Sequence, residues 1–209
     1  MALVTIRGQL GSWAPEIGEL VAKRLQVDYV DREIIAQVAE TLNKRQSDIA
    51  AKETPPPGLL GRIAEALSRG YIAGSAELPV YSPTREIPLG DEQYLAGLTS
   101  VIKALANSGP IVIAGRGSQF ILKDYPASFH ILVVAPLAIR IRRIMDELHI
   151  SQDAARRDIE NGDSIRREFT KRYFHSELWD ATNYNLVINS GHFNIEAAAS
   201  IIVTCLSVN

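Results

Sequence analysis

The chain has 209 residues, 46% hydrophobic and 22% charged, with a formal net charge of −2. These values suit a globular α/β chain with a substantial core, and a balance so near neutral argues against general nucleic-acid binding. A single cysteine, Cys205, excludes an intrachain disulfide and a cysteine-based metal site.

Residues 2–7 read as a buried strand. Residues 15–25 read as a helix, because Ile17, Leu20, Val21 and Leu25 recur at helical spacing and Pro15 sits where a first-turn proline is tolerated. Val27–Val30 is a short strand, followed by Asp31 as the N-cap of a helix built on Ile34, Ile35, Val38 and Ala39. Ser47 caps a further short helix. The run TPPPG at 54–58 then breaks the chain. Residues 53–90, helical over 59–70 and irregular beyond, read as an insertion beside the core fold.

Asp91 to Asn107 is a helix ended by Ser108-Gly109-Pro110. IVIA at 111–114 is a buried strand running into Gly115-Arg116-Gly117, and FHILVVA at 129–135 is another. Pro136 to His149 is a helix, 151–175 is helical and strongly charged, 184–189 is the last strand and 194–206 the last helix. Cys205, in that apolar helix, reads as a buried small hydrophobe. No apolar run approaches the roughly 18 residues of a membrane span. The first residues are broken too soon by Arg7 and glycine to form a signal peptide, so a cytoplasmic location is expected. Alternating strands and helices predict a three-layer α/β fold with a parallel sheet of about five strands covered on both faces.

In such sheets ligands bind beyond the carboxyl ends of the strands. Three segments fall there. The first, GQLGSWAPE, lies between a strand and a helix as a phosphate loop does. Gly8 matches the first glycine of G-x-x-x-x-G-K-[ST], and Gly11 and Ser12 match the inner Gly-Ser of the monophosphate kinase variant. Trp13 then replaces the last glycine, Ala14 the lysine and Glu16 the hydroxyl. Taken alone, the spacing also fits an ordinary glycine turn.

The second is Asp31-Arg32 after strand two, which also reads as a helix cap beside a surface arginine. The third is Arg116 between two glycines, where a guanidinium can fork two phosphate oxygens, or where the chain simply turns tightly. Beyond these, eight of the 16 arginines lie between Arg140 and Arg172. Asp153, Asp158, Glu160, Asp163 and Glu168 are interleaved with them at ion-pair spacing, as on a solvated helical face. The four histidines form no metal-ligand spacing.

Several stretches together resemble the cytidylate kinase-like family, a branch of the P-loop nucleoside monophosphate kinases. They are IRGQLGSWAPEIGELVAKRL, VDYVDREII, GPIVIAGRGSQFIL, FHILVVAPLAIRIRRI and YNLVINSGHFNIEAA. The family opens with a strand, an arginine, and then Gly-Ser-Gly-Gly-[basic]-x-Ile-Gly. Arg7, Gly11, Ser12, Ile17 and Gly18 match it, while Trp13, Ala14 and Pro15 depart from it.

The resemblance implies a single P-loop kinase-like domain over 1–209, with an acceptor-side insertion at 53–90 and a helical lid at 150–175. It implies ATP and Mg2+ as cofactors, Gly8, Gly11 and Ser12 holding the donor, and Asp31, Arg32 and Arg116 binding the acceptor. Arg116, Arg157 and Arg167 are the implied catalytic arginines. The implied partners are small-molecule nucleotides, with no nucleic acid and no membrane, and a homo-oligomer is left open. The alternative is a catalytically silent nucleotide-binding or interaction protein of the same fold, because Trp13-Ala14-Pro15 replace the usual loop residues.

Overall fold

The computed structural model describes residues 3–31 and 91–208. In chain order the elements are β1 (Leu3–Gly8), α1 (Ala14–Leu25), β2 (Asp28–Val30), α2 (Asp91–Asn107), β3 (Ile111–Ala114) and α3 (Ser118–Ile121). Then follow β4 (Ser128–Val134), α4 (Leu137–Leu148), α5 (Gln152–Phe174), a 3-10 turn (Ala181–Asn183), β5 (Leu186–Asn189) and α6 (Ile195–Ser207). The five strands form one parallel sheet in the order β2-β3-β1-β4-β5. The expected three-layer α/β fold is therefore present.

Alternation along β1 divides the core. Val4 and Ile6 face α1 and α6, joining Ile17, Val21, Val112, Ile131, Val133 and Ile202. Leu3 faces the other way, with Val30, Ile102, Leu105, Ile111, Ile113 and Leu122. Each of these side chains is nearly or fully buried, and each such burial stabilises by about 1.5–3 kcal/mol.

Helix α5 is a single rod of 23 residues, begun where Ser151 accepts a hydrogen bond from the Ala154 N–H at 3.3 Å. Its first half packs Ala155 and Ile159 on Ile141 and Ile144 of α4. Its last turns set Phe169 and Tyr173 against the α2 face, and Phe174 stacks on Phe120 of α3 at 5.1 Å between ring centres. Between those two anchorages α5 passes the loop after β1: a Cβ on Gly162 would lie 3.2 Å from the Leu10 side chain.

Most boundaries fall within one or two residues of the expected ones. α3 was not expected, since four residues are too few to show a period. Cys205 is half-buried at the margin of the core, not fully buried as expected, because the last turns of α6 run toward solvent. The expected helix after Asp31, the Ser47 cap, Arg32 and the 53–90 insertion lie outside the described residues. Among the described residues no helix is long and apolar enough to cross a membrane.

Candidate functional site

β1 is the central strand, with β3 on one side and β4 on the other, so the crevice expected at the carboxyl edge opens above it. The loop from Gly8 to Trp13 lines that crevice and is held from outside by three successive carbonyls. Arg140 Nη1 donates to Leu10 O at 3.3 Å, Arg143 Nη1 to Gly11 O at 3.1 Å, and Ser190 Oγ to Ser12 O at 2.7 Å. Asp163 Oδ1 accepts the Leu10 N–H at 3.2 Å, while its Oδ2 pairs with Arg140 Nη1 at 2.6 Å. Leu10 is thus gripped at both backbone groups by one ion pair. Arg140 also donates from Nε to Ala135 O at 3.1 Å and is itself buried.

Of the loop's own N–H groups, Gln9 donates to Val133 O at 3.2 Å, Leu10 to Asp163 and Ser12 to Gln9 O at 3.0 Å, which leaves those of Gly11 and Trp13 as the donors the loop can present to an anion. Departures from the usual loop limit what this one can take. Trp13 occupies the left-handed region at φ 64°, and no side chain caps the start of α1. Gly8 cannot carry a side chain: a Cβ there would lie 2.4 Å from both Ala14 Cβ and Ser12 Oγ. The space over Gly8 is therefore occupied by the chain's own methyl and hydroxyl. Even so, the Ser12 hydroxyl is fully buried and has no hydrogen-bond partner.

A second set of groups meets on the α2 face of β1. Arg7 stands one residue past the Ile6–Ala114 pairing, at the carboxyl end, on the same side as Leu3. It is 9% exposed, and its Nε has no hydrogen-bond partner. Among the described residues no carboxylate pairs with it. Its pKa is lowered to about 10, chiefly by burial and then by the Arg166 and Arg116 charges, against the opposing effect of Tyr184 and Asp163.

Gly115 lies against this guanidinium, since a Cβ there would be 3.7 Å from Arg7 Nη1. The Tyr184 hydroxyl donates to Leu178 O at 2.8 Å and accepts from Gln119 Nε2 at 3.3 Å. Burial holds the Tyr184 phenol up at about 12. That arrangement leaves the buried Gln119 Oε1 without a partner, as is Ser118 Oγ beside it.

The expected site residues separate as follows. Gly8, Gly11 and Ser12 form the loop. Arg116 stands in the turn after β3, in the left-handed region at φ 56° between Gly115 at 78° and Gly117 at 71°. Asp31 is half-buried just past β2, close enough to raise the Tyr29 pKa together with burial of that ring. Arg157 and Arg167 are on the exposed side of α5, whereas half-buried Arg166 faces Arg7.

Sequence reasoning left Arg7 unplaced and gave no loop-holding role to Arg140, Arg143, Asp163 or Ser190. Arg166 was already expected, with Arg157 and Arg167, in or near the lid. It lies seven residues after buried Ile159, and so on the same helical face.

Arg7, Ser12 and Arg116 suit phosphate oxygens. Glu16 and Asp31 are carboxylates of the kind that holds magnesium when phosphates supply the other oxygens. Among the described residues no cluster of three metal-ligating side chains is present.

A family model described as the cytidylate kinase-like family matches residues 3–192. The chain is 28% identical over 103 residues to a uronate isomerase of Corynebacterium glutamicum, covering 49% of this chain and 20% of that protein. It is 32% identical over 103 residues to a cytidylate kinase of Methanosphaera stadtmanae, covering 48% of this chain and 56% of that one. It therefore spans between a fifth and just over half the length of these curated relatives. A crystal structure of an uncharacterized protein from Eubacterium ventriosum shares the fold over the whole of both chains, with a TM-score of 0.72 at 15% identity.

Proposed function

The chain belongs to the cytidylate kinase-like family, and on that premise we propose that it is a nucleotide phosphotransferase, moving the γ-phosphoryl group of ATP to CMP or a related acceptor. The observation that carries this reading is the buried cation Arg7, with Arg116 and Arg166 beside it, at the carboxyl edge next to an outward-tied glycine loop. Converging cations with no carboxylate on Arg7 suit the charge spread over a transferring phosphoryl group.

In this reading Gly8, Gly11 and Ser12 hold the donor phosphates, and Asp31, Arg32 and Arg116 bind the acceptor. Arg116 also stabilises the transferring group, with Arg157 and Arg167 as lid arginines. Magnesium, when bound, would neutralise charge on the bridged phosphates. Asp31 and Glu16 are the carboxylates offered to it. The protein's own part is orientation and charge. A single domain with a lid over 150–175, and a cytoplasmic location among small nucleotides, belong to the same proposal.

A second reading, a catalytically silent nucleotide-binding or interaction protein, is favoured by one observation: Ala14 and Ser12 occupy the space over Gly8. Incubation with Mg-ATP and each nucleoside monophosphate, measuring ADP and diphosphate product, separates the two. Product with CMP or another monophosphate supports the transferase. No product with any acceptor, and no rise in melting temperature with ATP, overturns it. Nucleotide binding without turnover favours the silent reading.

A further inference from the structure

We propose that Arg7 is the principal ligand of a phosphate-binding site on the α2 face of β1, separate from the glycine loop, that takes the phosphate of a nucleotide-like ester. A guanidinium has five donors and no acceptor, and burying it without a counter-charge is costly. Arg7 is 9% exposed, and Nε is without a partner. The charges acting on it include Arg166 and Arg116, which add to its cost, and Asp163, which offsets part of it but is shared with Arg140 and Arg166; an oxyanion would relieve the remainder.

Gly115, bare of a side chain, leaves the approach to Nη1 uncovered by a Cβ. The wall is not purely cationic. Gln119 Oε1 is a buried acceptor whose amide nitrogen is already committed to Tyr184.

Alternation in β1 keeps this site apart from the loop. Arg7 lies on the Leu3 side of the sheet and Gly8 on the side of α1. The loop has Ala14 at the position of the usual lysine, so Arg7 would bring a cation to the same edge from the strand beneath.

The identity of the phosphate bearer rests on the phosphotransferase reading, but the anion chemistry does not. The test is thermal melting of the full chain and of Arg7→Met and Arg7→Lys, each with inorganic phosphate, CMP, ATP or cytidine. Phosphate and CMP should raise the melting temperature of the native protein, and cytidine should not. Without ligand, Arg7→Met should melt at or above the native protein. Its phosphate affinity should fall by about tenfold or more, the worth of one charge-assisted hydrogen bond. Arg7→Lys should fall between.

Beside the response to inorganic phosphate, an Arg7-dependent response to CMP and not to ATP assigns the site to the acceptor, and one to ATP and not to CMP assigns it to the donor. Either supports the site. No phosphate response in the native protein, an equal response in Arg7→Met, or an Arg7→Met protein that melts well below the native one or fails to fold would overturn it. Turnover is read separately. An Arg7-dependent phosphate response with no diphosphate product sinks the kinase reading and leaves this one. Native kcat/KM in Arg7→Met does the reverse.

Discussion

The guanidinium carbon of Arg143 lies 3.2 Å from the centre of the Trp13 ring. The same side chain donates to Gly11 O, Ser190 Oγ and Ser190 O at 3.1, 3.0 and 2.7 Å. One residue of α4 therefore fixes the end of β5, the middle of the loop and the aromatic ring that replaces a glycine. Trp13 is a built part of this loop, with its own cation beneath it.

Substituting Trp13→Gly separates two effects of that ring. A non-glycine residue in the left-handed region costs about 1–2 kcal/mol, which glycine removes. The lost ring contact costs about 0.5–2 kcal/mol. The half-buried ring also gives up packing on the α1 and α6 core, worth about 1.5–3 kcal/mol at full burial, so folding stability should fall by up to about 4 kcal/mol, while the backbone gains freedom to approach a phosphate. The expected result is a larger ATP-induced rise in melting temperature than in the native protein. A smaller or unchanged rise would show that Trp13 does not restrict the loop.

The Arg140–Asp163 pair should behave as one unit. Both side chains are largely buried, and both hold Leu10. Arg140→Met leaves the carboxylate only the Leu10 N–H and the more distant Arg166, at 3.8 Å, and should cost up to about 3–5 kcal/mol in chemical denaturation. Asp163→Asn should cost less, since the amide still accepts. The Arg140→Met/Asp163→Leu double variant should recover part of the first loss. Strict additivity of Arg140→Met and Asp163→Leu in the double-mutant cycle would rule out the coupling.

The sheet was legible because its evidence is local. Short runs such as IVIA and FHILVVA, rich in β-branched residues and bounded by proline or glycine, read as strands from their own composition, and Ile17, Gly18 and Val21 declare the packed face of α1. Gly18 in particular sits where a Cβ would come within 2.9 Å of the Tyr29 ring. The turn at Arg116 was legible as a strand's carboxyl end.

Arg7 was not, because an arginine closing a strand usually reaches water. Its burial depends on β1 being central, which only the strand order reveals. Arg140 and Arg143 read as part of an arginine-rich, solvated stretch, yet their partners lie 130 and 132 residues away in the loop. No spacing rule reaches that far.

His130 supplies a pH dependence. Its Nδ1 is 2.8 Å from Thr5 Oγ1 and the residue is buried, so burial pulls its pKa below the usual histidine value. As pH falls through about 6.5 the unfolded chain binds a proton that the folded chain refuses, and stability falls with it. Above that range the contribution is fully present. The denaturation midpoint should drop between about pH 7.5 and about pH 5.5, and His130→Phe should flatten that part of the profile. An equally steep drop in His130→Phe would assign the effect to other groups.

Arg116→Asn tests the acceptor end without dismantling it. Gly115, Arg116 and Gly117 all have positive φ, and asparagine tolerates that backbone better than any other non-glycine residue. The turn should keep its shape, with stability within about 1 kcal/mol of native and some strain relieved. What goes is the charged fork. If Arg116 contacts the acceptor phosphate in the transition state as well as the ground state, kcat/KM for CMP should fall by roughly a hundredfold, two charge-assisted hydrogen bonds' worth. KM for ATP should hardly move. A pure structural turn predicts the opposite split, with melting temperature changing and kcat/KM for the surviving folded protein unaltered. Steady-state kinetics with each substrate varied in turn, beside a melting curve on the same sample, decides between them.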